Sequence, residues 1–363
     1  MDSARKDIQV IDLRSPSEFA DDHLPGALNV PLLNDIERAV VGTLYKQASP
    51  QQAFSQGLEF VVAGVTKLVS QVAAATSWDP AQLDPRERVL QMTSAGFDQF
   101  RSGLEAQSSK TPEPEAVVLH CWRGGMRSMS VVALLRELGL ERAVCLEGGY
   151  KAYRRAVLDE LEAWTPPQEV YVLRGLTGVG KTMCLREIER LRPGWTLDLE
   201  GAAGHRSSLL GKVGLEPVSQ KTFESRLAAR LRQGFPDGIC IFEGESRKIG
   251  DAIMPISLWR ALSSGVNLRI QADQDVRVGI LREDYMRSER SRSELREQLL
   301  QLEPRLNPAQ PLVELYDEGE IDQLTRVLLE RYYDPLYRHS ERGRATAADF
   351  ETRDPLETAA QIV

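Results

Sequence analysis

The stretch Val170-Tyr171-Val172-Leu173-Arg174-Gly175-Leu176-Thr177-Gly178-Val179-Gly180-Lys181-Thr182 decides the fold class of the second half of the chain. Val170–Arg174 is a short β-branched apolar run, and a helical pattern runs from Thr182 to Leu191. The turn between them, Gly175 to Thr182, satisfies G-x-x-x-x-G-K-[ST], a phosphate-binding loop (P-loop) in its proper strand-to-helix setting. Glycines at 175, 178 and 180 let backbone amides, including that of Thr177, point at one anion. Lys181 adds a cation and the Thr182 hydroxyl is placed for magnesium. Further strands are expected at Thr196–Leu199, Ile239–Glu243 and Leu268–Gln271. Strands alternating with helices imply a parallel sheet covered on both faces. Glu243 ends one strand as a carboxylate, where a contact to the magnesium shell is expected. Asp198 serves equally well as that contact or as a cap.

Working outward, the 363 residues exceed one ordinary domain, since roughly 150 residues is the usual allotment. Trp164-Thr165-Pro166-Pro167-Gln168 halts a helical pattern and marks a linker at 161–168, dividing a domain at 1–160 from one at 169–363 whose C-terminal part reads as helical. The net charge of -8 argues against a protein that coats nucleic acid by bulk charge. Within that acidic chain, the window 201–250 carries 8 Lys/Arg against 5 Asp/Glu, so a local site is open. It contains His205-Arg206 and Glu243-Gly244-Glu245-Ser246-Arg247-Lys248, in glycine- and serine-containing turns after strands, where α/β proteins hold ligands. The Arg-rich pattern from Arg277 to Arg296 reads as one helix with a salt-bridged solvent face. Four scattered cysteines suit a reducing compartment. No apolar leader is seen, and no run approaches the ~18 residues a membrane span needs. A cytoplasmic protein without membrane contact is expected.

The first half carries strands at Ile8–Leu13, Val117–Cys121 and Ala143–Leu146, a helix from Met126 to Leu138, and a long helical insertion at about 34–115. After the Val117 strand comes His120-Cys121-Trp122-Arg123-Gly124-Gly125-Met126-Arg127-Ser128. Loop amides and a helix N-terminus converge there, which stabilises an anion and depresses the pKa of Cys121. Arg127 adds a bidentate hold on an oxyanion, and Trp122 is placed either to stack on a base or to pack. Cys145, Cys184 and Cys240 lack that setting and read as small core hydrophobes.

The segments Ile11-Asp12-Leu13-Arg14-Ser15-Pro16-Ser17-Glu18-Phe19, His23-Leu24-Pro25-Gly26-Ala27 and Leu146-Glu147-Gly148-Gly149-Tyr150, with the cysteine loop, resemble the rhodanese superfamily. Cys121 to Arg127 is C-x5-R, one residue longer than the C-x4-R common in sulfur-transferring rhodaneses, and it also matches the H-C-x5-R pattern of cysteine phosphatases. The thiolate then either attacks phosphorus or carries sulfur or selenium as a persulfide-like species; the residues alone leave both open.

A rhodanese-like parallel-sheet domain followed by a P-loop NTPase-like α/β domain resembles the tRNA 2-selenouridine synthase family over about residues 8–340. Glu37-Arg38, Val41-Gly42-Thr43-Leu44-Tyr45-Lys46, Leu146 to Arg154, His205-Arg206 and Glu245-Ser246-Arg247 carry that likeness with the two loops. The family usually has glycine after its His-Arg pair, whereas Ser207 stands here. The resemblance implies geranylation of the wobble 2-thiouridine of tRNA by geranyl diphosphate, then replacement of the geranylthio group by selenium from selenophosphate. It implies that Cys121 and Arg127 are catalytic and that Trp122, Arg123, Gly124, Gly125, Met126 and Ser128 hold selenophosphate. The P-loop would hold the diphosphate, with magnesium at Thr182, and His205, Arg206, Glu243, Glu245, Ser246 and Arg247 would face substrate or tRNA. The partners implied are thiolated tRNA and a selenophosphate-producing enzyme. The other reading is a cysteine phosphatase or sulfurtransferase fused to an ATP-dependent kinase or ATPase; a nonenzymatic tRNA- or nucleotide-binding module fits an intact Cys121 and Arg127 poorly.

Overall fold

A computed structural model describes residues 8–107, 115–306, 308, 310–336 and 345–363. The chain divides into two compact units, Met1–Ala156 and Val157–Val363. The division falls within a helix, Gly149–Ala163, upstream of the Pro-Pro pair.

Unit 1 contains β1 (Gln9–Asp12), α1 (Pro16–Asp21), β2 (Leu28–Asn29), α2 (Asp35–Gln47), α3 (Pro50–Thr76), α4 (Pro85–Thr93), α5 (Phe97–Gln107), β3 (Val117–His120), α6 (Met126–Glu137), β4 (Ala143–Cys145) and the start of α7 (Gly149–Ala163). The strands pair in parallel in the order β2-β1-β3-β4. Their short apolar runs face a core in which Ile11, Leu119 and Leu135 are wholly buried, each worth ~1.5–3 kcal/mol of transfer from water. α2 to α5 fill the long segment between β2 and β3. Ser49 caps α3, accepting from the Gln52 amide at 3.1 Å, and Pro50 supplies a preset φ at its first position.

Contrary to the sequence expectation, α3 is long and apolar enough, by length and composition, to cross a membrane. Isolated Gln, Thr, Ser and Lys residues hide this in a count of consecutive apolar residues. Part of its apolar surface, including Val65, Leu68, Val69 and Val72, is instead buried in the core of unit 1.

Unit 2 has β5 (Glu169–Arg174), α8 (Lys181–Leu191), β6 (Thr196–Leu197), α9 (Leu199–Ala203), α10 (Gln220–Leu231), β7 (Ile239–Glu243), β8 (Lys248–Ile249), β9 (Ala252–Ile253), α11 (Ile256–Ser264) and β10 (Val266–Gln271). There follow α12 (Gln274–Met286), α13 (Glu289–Leu306), α14 (Leu312–Asp317), α15 (Ile321–Leu328), a π-helical turn Leu329–Tyr333, β11 (Ala348–Glu351) and α16 (Pro355–Ile362). The five-stranded order is β11-β10-β5-β7-β6, and all its pairings are parallel. Among the described residues after β10, the regular elements are helical except for β11, which adds to the sheet edge beside β10.

Two expectations fail here. The Thr196–Leu199 strand stops at Leu197 because Asp198 caps α9, its carboxylate accepting from the Gly201 amide at 2.6 Å. The single helix expected over Arg277–Arg296 is two, α12 and α13, broken at Arg287-Ser288. Its face is not wholly solvated either, since Arg277 is buried.

Candidate active sites: a cysteine loop and a P-loop

In unit 1, β1 and β3 are neighbours with β2 and β4 outside them, so the loop after β3 leaves the sheet where the order reverses, the usual ligand position in open parallel sheets. The Cys121 and Trp122 carbonyls accept from the amides of Tyr150 (3.0 Å) and Lys151 (2.9 Å) at the start of α7. Turning these carbonyls toward α7 leaves the loop amides and the first turn of α6 to face the thiol. Gly149 makes this approach possible: at φ +56, a Cβ there would lie 2.4 Å from both the Cys121 oxygen and the Gly124 nitrogen.

Cys121 is 3% exposed. Burial pushes its thiol up, but the Arg127 guanidinium, the Ser128 hydroxyl and the Arg123 and Ser128 amides outweigh that, and the net shift is downward. The Ser128 hydroxyl lies 3.3 Å from Cys121 Sγ and accepts from the Cys145 thiol at 3.1 Å. Cys145 itself is pushed up by burial, so the two neighbouring thiols are differentiated. Gly125 caps α6 with no side-chain bond, leaving its N-terminal amides available to an anion. Trp122 packs at 5.3 Å against Tyr150, its packing role.

Behind the loop, Asp12 and Arg14 form a buried pair at 2.6 Å, and the Arg14 guanidinium stacks 3.6 Å over the Tyr150 ring. Tyr150 donates to Asp22 at 2.8 Å. His120 joins this network: it is fully buried, its Nδ1 lies 3.4 Å from the Cys121 carbonyl and its Nε2 3.7 Å from Asp12, and burial lowers its pKa.

In unit 2 the P-loop follows β5, between β7 and β10, again where strand order reverses. Gly180 has φ +82, and a Cβ there would lie 2.4 Å from Pro355 Cγ, so α16 seals the back of the loop. Lys181 Nζ donates to the Gly175 and Leu176 carbonyls at 2.8 and 3.2 Å. Thr182 Oγ1 donates to Glu200 Oε2 at 3.0 Å, and the Glu200 amide donates to Glu243 Oε2 at 3.2 Å. Burial and the neighbouring charges of Glu243 and Glu245 raise the Glu200 pKa; burial, then Asp198 and Glu245, push Glu243 up to about 8.

Glu243 Oε1 is buried with no hydrogen-bond partner among the described residues. Among these residues no three His, Cys, Asp or Glu side chains form a ready metal cage. A P-loop magnesium takes most of its ligands from phosphate and water, so the Thr182 hydroxyl beside this acid-rich, unsatisfied cluster fits it.

Sequence reasoning missed two residues. Glu200 touches Thr182, and its sequence signal was only a carboxylate two residues after a cap. Arg277 donates from Nε to the Thr177 carbonyl at 2.8 Å and pairs with Asp334 at 2.5 and 3.2 Å. Of the substrate-facing candidates, Arg206 and Glu245 line the P-loop cleft with Lys181 and Thr182. His205 is instead wedged between Gly211 and Gly250, where added Cβ atoms would each come within 2.6 Å of its ring. Ser246 and Arg247 are exposed in the turn before β8. Ser207 takes a left-handed φ of 52, the conformation glycine tolerates best.

A family model described as the tRNA 2-selenouridine synthase AAA domain matches residues 168–308, and a rhodanese-like domain model matches residues 2–78. A tRNA 2-selenouridine synthase of Hydrogenovibrio crunogenus is 30% identical over 373 residues, covering 95% of this chain and 92% of that protein. The chain belongs to the tRNA 2-selenouridine synthase family. A tRNA 2-selenouridine synthase of Cupriavidus necator is 30% identical over 93% of this chain and 89% of its own length. One of Chromohalobacter salexigens is 34% identical over 76% of this chain and 65% of its own. The rhodanese match ends just after α3, although the sheet resumes at β3; in this chain the Cys121 loop is separated in sequence from β1 and β2 by the helical segment.

Proposed function

We propose that the protein is a tRNA 2-selenouridine synthase that works in two transfers. In the first, the sulfur of wobble 2-thiouridine bonds to C1 of geranyl diphosphate as the C1–O bond breaks, diphosphate leaves with the electron pair, and the N3 proton passes to solvent. In the second, selenium of selenophosphate bonds to C2 of the base, and geranylthiolate leaves and is protonated. Water then cleaves the Se–P bond and releases phosphate.

The observation that most supports this reading is the Cys121 thiol, lowered by Arg127 and Ser128 inside a ring of amides, in a chain of this family. A selenophosphate drawn from its producing enzyme fits the seven-residue loop from Cys121 to Arg127, with Arg123 through Met126 supplying the curl. Cys121 then orients the selenophosphate selenium toward C2 without bonding to it, and Arg127 neutralises the phosphate oxygens. The P-loop residues Gly175, Thr177, Gly178, Gly180, Lys181 and Thr182 take a phosphate chain. Magnesium, when bound at Thr182 beside Glu200 and Glu243, neutralises phosphate charge. The exposed Arg247 and Lys248 side chains offer cations to an RNA backbone, and a splayed wobble base needs such local contacts, not groove reading.

The test is to incubate the protein with 2-thiouridine-containing tRNA and geranyl diphosphate, then add selenophosphate, following nucleoside mass. A geranylated and then a selenated nucleoside are expected. No mass increase together with robust ATP turnover would replace this reading with the phosphatase–kinase one.

A further inference from the structure

Unit 1 contains a solvent-open cavity of about 810 Å³ between α2, α3, α4, α5, α6 and the cysteine loop. One stripe of α3, with Phe54, Leu58, Val61 and Val65 at helical spacing, forms its wall. Phe97 and Phe100 of α5 meet Phe54 at ring distances of 5.3 and 5.6 Å and close one side. This explains why α3 is so apolar yet only 22% buried over its most apolar window. The charged lining residues are Lys46, Arg123, Arg127 and Arg38, the last paired with Glu18 at 3.0 Å, and no carboxylate lines the cavity itself, in a chain of net charge -8. Cys121 is in the same wall. A cavity that is apolar in its body, cationic in its charged groups and bordered by a lowered thiol fits an amphiphile with a hydrocarbon tail and a phosphate head.

We propose that this cavity holds the prenyl chain, first in the diphosphate donor and then in geranylthio-tRNA. The cationic groups and cysteine loop hold the donor's diphosphate and, after it departs, selenophosphate. The inference rests on the two-transfer reading and adds the place of the chain. A ten-carbon chain at roughly 30 Å³ per carbon, the liquid share of one water, fills less than half of 810 Å³. The chain stays in place between steps, so the geranylthiolate expelled from C2 leaves into the cavity that already holds it. The P-loop cleft, about 130 Å³ and lined by Glu200, Glu245 and Asp284 as well as by cations, is left for a phosphate chain without an apolar tail. This differs from the assignment of geranyl diphosphate to the P-loop drawn from sequence.

The experiment uses the full chain and a diazirine-bearing geranyl diphosphate analogue, with cross-linked peptides mapped by mass spectrometry. Cross-links within residues 50–76 and 97–104 are expected. Val61→Trp, which fills the cavity, should lower kcat/KM for geranyl diphosphate at least 10-fold, and Lys181→Ala should leave its Kd unchanged. Cross-links confined to the P-loop and α8, with geranylation intact, would overturn the inference alone. Where Val61→Trp melts early, Lys46→Glu on the exposed rim serves in its place, with a 3-fold or greater rise in KM expected and no change refuting. Cavity cross-links from a protein that never geranylates thiolated tRNA would leave the amphiphile site standing and sink the two-transfer reading.

Discussion

Removing Asp334 tests how the helical layer of unit 2 shapes the P-loop. Asp334 follows the π-helical turn Leu329–Tyr333, and its carboxylate pairs with Arg277 in α12. The two side chains are 13% and 7% exposed, so water screens the pair little. Asp334→Leu strands a buried guanidinium, and breaking such a pair costs about 3–5 kcal/mol. The Thr177 carbonyl still accepts from Arg277 Nε, which puts the loss near the low end, about 3 kcal/mol. With a urea slope of roughly 2–3 kcal/mol/M, the unit 2 midpoint should fall by roughly 1–1.5 M. The double variant Arg277→Met with Asp334→Leu removes both charges and should recover most of that stability. It frees the Thr177 carbonyl, however, so inorganic diphosphate binding at the P-loop should weaken even where stability returns. Urea unfolding followed by tryptophan fluorescence, with diphosphate titrated calorimetrically, measures both. A midpoint for Asp334→Leu within 0.2 M of the wild type would refute the claim that this ion pair is buried and structural, as would undiminished diphosphate binding by the double variant for the claimed hold on Thr177.

Ser207→Gly should raise stability by about 1 kcal/mol, since glycine accepts the left-handed φ of 52 without strain and the buried Ser207 hydroxyl has no partner among the described residues; an unchanged or lower melting midpoint contradicts this. Glu243, at about 8 in the folded protein against 4.5 as the ordinary value, holds a proton that the unfolded chain has lost between those pH values. Stability therefore falls as pH rises from about 4.5 to 8 and levels off above it. Glu243→Gln should flatten that slope in urea melts at pH 5.5 and 8.5, and an equally steep slope in the variant would remove Glu243 as its source. Arg127→Ala takes away a cation that lowers the Cys121 thiol, so the rise of selenation rate with pH should move to higher pH; a profile in the same place as the wild type's would show that Arg127 does not set the thiolate.

The parts of the fold that local residue types specify were readable in sequence. Ile239–Glu243 is a strand as expected, and the strand before Gly175 and the helix after Gly180 stand within a residue or so of their expected limits, because β-branched runs and glycine turns act over a few neighbours. The cysteine loop was readable for the same reason: Gly124, Gly125 and Arg127 surround Cys121 in sequence as in space. What stayed hidden depends on distant partners. Arg277 looks solvated among alternating charges until Asp334, 57 residues later, is folded onto it. The cavity lining is spread over α2 to α6 and the cysteine loop, and a helix whose apolar stripe faces an empty volume has the same pattern as one facing a packed core. Asp198 and Glu200 sit two residues apart, yet only folding shows that the first caps α9 and the second reaches Thr182.

The central claim is that Cys121 delivers selenium to a base first activated by geranylation. Its most direct test is a single-turnover reaction of thiolated tRNA with geranyl diphosphate followed by selenophosphate, run with the wild type and with Cys121→Ser and read by nucleoside mass. Selenouridine is expected from the wild type, formed at the expense of the geranylated nucleoside, and none from Cys121→Ser. Selenation by Cys121→Ser at the wild-type rate, or selenouridine formed without a geranylated precursor, would contradict the claim.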